Sequence, residues 1–375
     1  MKSTKLKIKL PNNIGKQYNI VIGIDLLKLL IKQIKRANVS NVVIITDINV
    51  KKLYGDELLR DLKKNLKSYD LSLISFPAGE KNKTQATVNK LQTEMFKLKC
   101  GRDTLVIALG GGVVGDVAGY VAATYMRGIP YIQIPTTLLA MVDSSIGGKT
   151  GVDTKYGKNL IGAFHQPVAV FININYLKTL SEQHLLSGLV EAVKMFLTHD
   201  KIMFNFVKVN YDKILNLHKA IIEKVIFQAI KIKSGVVMRD EKEIGERSVL
   251  NFGHTIGHAL EKLSNYKIIH GEAVGLGLVA EARMAFLMGK LSEKAYGEVE
   301  NFIGNMVDIK KLRYFDIEDI LREIKLDKKS KNSKSRFVFL KEIGRFYKKR
   351  GKFVHEVDEK IIKQALNSFR RSSSD

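Results

Sequence analysis

Cysteine is almost missing from this chain: Cys100 is the single one in 375 residues. An intrachain disulfide is therefore impossible, and a cysteine-based zinc site is excluded. Cys100 itself reads as a half-buried thiol at a helix end. One cysteine fits a reducing, cytoplasmic setting. Tryptophan is absent, and no stretch interleaves basic and aromatic side chains as single-strand nucleic-acid binders do. Long hydrophobic runs are also missing. None approaches the ~18–20 apolar residues of a membrane span, and the Lys-rich start Met1–Leu10 leads into no apolar segment, so a secretory signal is not expected. Met1–Leu10 reads as a first strand. Negative charge is scarce, with 38 acidic against 62 basic residues and a formal net charge of +24. Such an excess suits nucleic acid or an anionic substrate. Here, however, lysine is spread along the whole chain and accompanied by abundant Ile and Asn, the mark of an AT-rich genome's codon bias. The expected partner is a small anionic substrate, with no nucleic acid and no membrane.

What is present is an ordinary globular composition, 45% hydrophobic and 27% charged, long enough for about two domains. The first half alternates short β-branched runs with helical patterns. Strands are predicted at Tyr18–Gly23, Val42–Thr46, Leu71–Phe76, Thr104–Leu109 and Tyr131–Ile134. Helices are predicted between them at Asp25–Ala37, with Asp25 as N-cap, and at Lys51–Lys67, Thr84–Lys99 and Val113–Thr124. This order predicts an α/β domain built on a Rossmann-like, doubly wound parallel sheet over residues 1–179. From 180 to 375 the runs Ser181–Thr198, Ile202–Asn210, Ala220–Val237, Thr255–Leu263, Ala273–Met288 and Ser292–Ile303 have helical period. Strand candidates there reduce to Phe337–Leu340 and Phe353–Val357, so a C-terminal α-helical domain is expected.

Gly110-Gly111-Gly112-Val113-Val114-Gly115-Asp116 satisfies G-x-G-x-x-G after a strand and before a helix. Glycines there permit a tight turn and let backbone N–H groups approach a pyrophosphate at a helix N-terminus. A turn built only for close packing reads the same way. The acidic residue expected about 20 positions later is missing, and Asp116 is too near. Asp47 and Asn49, at the end of an earlier strand, are candidates for a ribose, although Asp47 also fits a simple cap. The loops Pro77–Thr84 and Pro135–Thr137, and the segments Asp143–Gly151 and Gly157–Asn159, add hydroxyls, Glu80 and lysines. Lys149, Lys158 and Asn159, on a glycine-rich backbone read as flexible, suit an anion such as phosphate.

A metal signal lies in Asn251-Phe252-Gly253-His254-Thr255-Ile256-Gly257-His258. Histidines at i and i+4 share a helix face and make good ligands. Residue 255 is Thr, so the metalloprotease motif is absent. His270 follows at a helix start, and Glu191 sits in an apolar helical run where a lone carboxylate is costly. Two or three histidines with one carboxylate suit a zinc site with an open position. Capping and packing for the histidines, and a salt bridge of Glu191 with Lys194, explain the same residues without an ion.

Taken together, Gly110–Tyr120 running on to Tyr125-Met126-Arg127-Gly128, then Pro135–Ala140, Asp143–Val152 and Asn251–His258, resemble the 3-dehydroquinate synthases, across residues 40 to 345. The resemblance implies a Rossmann-like domain that binds NAD and a helical domain that carries zinc or cobalt. It implies conversion of 3-deoxy-D-arabino-heptulosonate 7-phosphate to 3-dehydroquinate and phosphate, within aromatic amino-acid biosynthesis. By the same resemblance Glu191, His254 and His270 hold the metal, and His258 sits near the substrate instead. Asp47, Asn49, Glu80, Lys83, Gly111, Gly112, Asp116, Thr136, Thr137 and Thr179 match NAD positions. Asp143, Lys149, Asn159, Lys194, Lys233, Arg247 and Asn251 match substrate positions, and Lys158 one close to both ligands. Lys149 is also expected close to the dinucleotide. Arg127 matches an arginine that reaches a neighbouring subunit, so a homodimer is implied. In Asp327-Lys328-Lys329 either lysine fits a phosphate-binding position. No surplus base is evident, so the substrate's own phosphate is the expected proton acceptor.

Overall fold

Along the inner strands of the first half, successive apolar residues point to opposite faces, and each face finds helices to cover it. The computed structural model describes residues 3–9, 17–327 and 335–370. Two units emerge, Met1–Leu180 and Ser181–Asp375. In the first, the strands are β1 (Thr4–Lys9), β2 (Gln17–Gly23), β3 (Asn41–Asp47), β4 (Asp70–Phe76), β5 (Thr104–Gly110), β6 (Tyr131–Pro135), β7 (Lys149–Thr154), β8 (Gly157–Phe164) and β9 (Ala169–Asn173). Seven form one sheet in the order β1-β2-β9-β6-β5-β3-β4, parallel except for β1, which pairs antiparallel with β2. The helices are α1 (Leu27–Arg36), α2 (Ile48–Val50), α3 (Asp56–Asn65), α4 (Gln85–Lys97) and α5 (Gly112–Thr124). Val43, Ile45, Val106 and Ala108 pack with α4 and α5. Their strand neighbours Val42, Ile44, Leu105 and Ile107 pack with α1 and α3 on the other face. The period of two along each strand therefore makes the sheet doubly wound.

β5 returns to the opposite side of β3 from β4. That reversal creates a crevice at the carboxyl ends of β3 and β5, the usual ligand position in such sheets. Three local expectations fail. Asp25 is no N-cap: α1 begins at Leu27 without a side-chain cap, and Asp25 takes φ of 55° in the turn before it. Lys149, Lys158 and Asn159 do not lie on loose loops, because β7 and β8 form an antiparallel hairpin. The glycines serve that hairpin: a Cβ on Gly162 would meet the Thr150 carbonyl at 2.1 Å. Cys100 is fully buried rather than half-buried.

The second unit contains α6 (Glu182–His199), α7 (Lys201–Val209), α8 (Tyr211–Leu215), α9 (Lys219–Arg239), α10 (His254–Leu263), α11 (His270–Leu287), α12 (Glu293–Gly304), α13 (Ile317–Asp327) and α14 (Glu359–Ser368). Helix α11 is central, packed against α6, α10, α12 and α14. Glycines let it approach closely. A Cβ on Gly271 would sit 2.3 Å from Ser187 backbone in α6, and one on Gly277 would sit 1.9 Å from the Gly253 carbonyl. The two predicted strands shrink to short pairs, β10 (Arg336–Phe337) with β13 (His355–Glu356) and β11 (Leu340–Glu342) with β12 (Arg345–Phe346).

Candidate functional site

In the second unit three helices bring their polar residues to one point. Glu191 is wholly buried in the middle of α6, His254 opens α10 and His270 opens α11. Glu191 Oε1 lies 3.6 Å from His254 Nε2 and 3.5 Å from His270 Nε2. One ligand atom from each residue falls within 4.8 Å of the others. Glu191 Oε2 meets Lys194 Nζ at 2.5 Å, one turn along the same helix. One carboxylate oxygen thus forms a salt bridge while the other faces two imidazole nitrogens. Oε1 is buried without a hydrogen-bond partner. Such an atom is costly unless something positive faces it.

Electrostatics keep Glu191 ionised and His254 neutral. Burial alone would push the Glu191 carboxyl up, but Lys194, His254 and His270 hold it well below the ordinary range. Burial, and then Lys194, keep His254 well below the usual histidine value, in the neutral form that binds metals. Burial also opposes charge on His270, but the carboxylates on its two nitrogens prevail and push it up to about 10. One carboxylate and two imidazoles, with His258 exposed beside them at ring-centroid distances of 5.3 and 6.0 Å, fit a divalent ion with an open position.

Nearby stretches carry the predicted substrate residues of this unit. Lys194, Lys233 and Arg247 are all buried. Asp240 accepts the backbone N–H groups of Ile244, Gly245 and Arg247, which folds the loop that carries Arg247. Burial opposes its charge, but those donors hold its carboxyl below the ordinary range. Arg247 Nη1 donates to the Glu241 carbonyl, and Asn251 Nδ2 donates to Glu243 Oε1 at 2.7 Å. Lys328 and Lys329 lie outside the described residues. A cleft of about 630 Å³ is lined by Ile244, Gly245 and Ser248 of the Arg247 loop with Lys290, Arg336 and Phe353, and none of the predicted site residues lines it.

In the first unit the glycine turn falls where expected, closing β5 and opening α5. The Gly110 carbonyl accepts Thr136 N–H at 2.9 Å, and a Cβ on Gly111 would touch the Thr137 methyl at 3.0 Å. Gly111, Gly112, Thr136 and Thr137 thus share the carboxyl edge of the sheet with Asp47 and Asn49. Asp47 does cap α2, accepting Asn49 and Val50 N–H at 2.8 and 3.0 Å. Beside them Lys83, 4% exposed, is ringed by carboxylates: Asp116 at 2.8 Å, Glu80 at 3.6 Å and Asp153 at 3.7 Å. It also donates to Asn159 Oδ1 at 2.5 Å, and Lys158 reaches Glu80 at 3.6 Å. Burial opposes the charge on Lys83, but Asp116, Glu80 and Asp153 outweigh it and raise its pKa. The structure thus joins Glu80, Lys83, Asp116, Lys158 and Asn159, which are up to 79 positions apart in the numbering. Thr179 bonds Tyr54 through its hydroxyl. Asp143 is half-buried, while Lys149 and Arg127 are exposed, Arg127 in a turn with φ of 69°.

Sequence reasoning missed three residues. Asp153 closes the Lys83 network and accepts the Asn159 N–H at 2.9 Å. It stands four residues after Lys149 on β7, but the register of that strand shifts between Val152 and Thr154, so simple alternation carried no signal. Glu281, wholly buried in Val279-Ala280-Glu281-Ala282, carried the same signal as Glu191: a carboxylate in an apolar helix. Glu261, 2% exposed, sits between Leu260 and Lys262 and carried none.

Comparison with known proteins gives the family. The 3-dehydroquinate synthase N-terminal family model matches residues 73–187, and the C-terminal one residues 188–330. The chain belongs to the 3-dehydroquinate synthase family. A 3-dehydroquinate synthase of Thermoanaerobacter pseudethanolicus is 46% identical over 315 residues, 83% of this chain and 87% of that protein. One from Ruminiclostridium cellulolyticum is 39% identical and covers 94% of this chain and 96% of its own. Among solved structures, a 2-deoxy-scyllo-inosose synthase with carbaglucose-6-phosphate, NAD+ and Co2+ superposes with a TM-score of 0.87 at 26% identity, covering 97% of this chain and 100% of that one. The 2-epi-5-epi-valiolone synthase of Streptomyces hygroscopicus, with NAD+ and Zn2+, does so at 0.85 and 26%, covering 96% and 99%.

Proposed function

We propose that the chain is a 3-dehydroquinate synthase, converting 3-deoxy-D-arabino-heptulosonate 7-phosphate to 3-dehydroquinate and phosphate. The convergence of Glu191, His254 and His270 beside Lys194 carries this reading, together with membership of the family. Bound NAD supplies a hydride acceptor that is regenerated, and a divalent ion, zinc or cobalt, a Lewis acid for the hydroxyl being oxidised. The protein's own residues do the rest. Glu191, His254 and His270 hold the ion. Lys194, buried and tied to Glu191, presents its ammonium beside it. Lys233 and Arg247 fix the substrate carboxylate, where a planar guanidinium makes paired hydrogen bonds, and Asn251 and His258 orient the sugar hydroxyls and phosphate.

The first unit supplies the dinucleotide residues. Gly111 and Gly112 bring backbone N–H groups to the pyrophosphate at the start of α5. Asp47 and Asn49 take the ribose. Glu80, Lys83, Asp116, Lys158, Thr136, Thr137 and Thr179 complete the cradle, and Asp143, Lys149 and Asn159 face the substrate. Arg127, on its exposed turn, serves the site of a second subunit, so the working form is a homodimer. The domain boundary is put at 179/180, one residue before the division between the two units. No described helix is long and apolar enough to cross a membrane, and a cytoplasmic location follows for an enzyme of this biosynthesis.

Phosphate release from the heptulosonate phosphate tests the proposal. It is expected to require NAD and a divalent ion, to stop with chelator, and to proceed without net NADH absorbance. Stoichiometric NADH would identify a polyol dehydrogenase and overturn it.

A further inference from the structure

The metal-type cluster is only as good as the nitrogen each histidine turns toward it, and two glutamates outside the ligand set control that. His270 Nδ1 lies 3.3 Å from Glu261 Oε2, leaving Nε2 toward Glu191. His254 Nδ1 lies 3.2 Å from the Phe252 carbonyl, again leaving Nε2 toward Glu191. The Phe252-Gly253 turn that makes the second arrangement is held from α11. Glu281, wholly buried, accepts the Gly253 N–H at 2.9 Å and the Ile256 N–H at 3.4 Å. Gly277, one helical turn before Glu281 and on the same face, lets the helix backbone come against Gly253, whose φ is 80°.

We propose that Glu261 and Glu281 are positioning residues of the metal site: Glu261 fixes the tautomer of His270 through its Nδ1, and Glu281 fixes the turn that aims His254. Neither touches the ion. A carboxylate behind a ligating imidazole orients the ring and raises its basicity, and loss of such a partner typically weakens metal binding about 10- to 100-fold. Burial makes the Glu261 contact strong, because little water competes for it.

The rival assignment puts Glu261 in the ligand set, with His258 and His270, whose donor atoms also lie within 4.8 Å of one another. Nδ1 is the His270 nitrogen nearer Glu261, so that arrangement would set the ion on the side of the ring away from Glu191. The positioning assignment sets it at the buried Glu191 Oε1, which His254 also faces.

The inference rests on the proposed metal-dependent function, and its test separates the two. Wild type, Glu261→Gln, Glu261→Ala and Glu281→Gln are stripped of metal. Zn2+ affinity is then measured by competition with a chromophoric chelator, Co2+ absorption is recorded, and ions per chain are counted. Glu261→Ala is expected to lose about 10- to 100-fold in Zn2+ affinity. Glu261→Gln, whose amide oxygen still accepts the Nδ1 proton, loses less, and Glu281→Gln also weakens binding. The Co2+ bands shift in the Glu261 variants, and one ion per chain remains the maximum throughout. Should Glu261→Ala not fold, as circular dichroism reports, the Gln variant and its spectrum decide. Wild-type affinity with an unchanged Co2+ spectrum in the Glu261 variants overturns the proposal. So does a wild type with two ions of which Glu261→Gln loses one. A wild type that binds no ion overturns both the proposal and the metal-dependent function. Phosphate release is assayed apart, so a chain that binds one ion in this pattern but releases no phosphate defeats the assigned reaction alone.

Discussion

Two buried lysines anchor the two units, and their surroundings differ in one respect. Around Lys83 the polar atoms answer one another: three carboxylates and an amide oxygen face one ammonium, with Lys158 behind them. Around Lys194 they do not. Its partner Glu191 spends one oxygen on the ammonium and turns the other, unsatisfied, toward two imidazole nitrogens. Both clusters are costly to bury. The first is closed by the protein and fixes the Pro77–Thr84 loop against the β7–β8 hairpin. The second leaves that oxygen facing two imidazole nitrogens, the arrangement the proposed ion would complete. A self-satisfied cluster holds shape, whereas a convergent unsatisfied one marks a site.

The strongest way to break this comparison is to remove Glu191. Glu191→Ala leaves Lys194 buried without its partner, and losing one member of a buried pair costs about 3–5 kcal/mol. Zn2+ binding is expected to vanish within the range of a chelator competition, while NAD titration stays near wild type. Retained metal binding would place the ion elsewhere. Next comes Lys83→Met, which strands three carboxylates at a similar cost of about 3–5 kcal/mol in urea unfolding. It should weaken NAD binding and leave the Zn2+ stoichiometry intact. Equal loss of metal would show that the two clusters are not separate devices. A smaller effect is expected from Gly277→Ala. Its Cβ would collide with the Gly253 carbonyl, and overpacking of this kind costs about 1–3 kcal/mol. Zn2+ affinity should fall with it, since the His254 turn must move.

The smallest effect concerns pH. Burial lowers the pKa of His199 and His355, more than their favourable contacts raise it. At these two residues the folded state therefore binds fewer protons than the unfolded one near and below the free histidine value of about 6.5. Their contribution to stability should be fully present above that value and decline as pH falls through it, whereas His270 contributes with the opposite sign. Urea midpoints of wild type and His199→Gln at pH 8 and pH 5.5 read this by difference: the variant should lose less on acidification than wild type. A variant that loses as much or more would contradict the sign.

Much of the fold was legible because it is local. The continuous apolar runs Val42–Thr46 and Thr104–Leu109 state that both faces of those strands are buried, and the helical period of the second half states which face each helix buries. The glycine turn and the Asn251–His258 segment were legible because their spacing is itself the geometry. The β7–β8 hairpin was not, since its glycines look like loop residues until the opposing strand is seen to need the space. Asp25 was misjudged as a cap because a turn with positive φ offers the same residue type another use. Glu261 and Asp153 escaped because an acidic residue beside a lysine or a turn is usually solvated.

By itself, then, the chain's order of residues determined the layers, the glycine turn and the histidine pair, because hydrophobic period and short-range spacing act within a few residues. Only tertiary structure decided that Glu191 turns its second oxygen to His254 and His270, that Asp153 closes the Lys83 ring, that Glu261 meets His270 and that Glu281 holds the Gly253 turn. Those are matters of burial. The cost of a buried charge depends on which side chains from distant helices face it, and no local pattern encodes that.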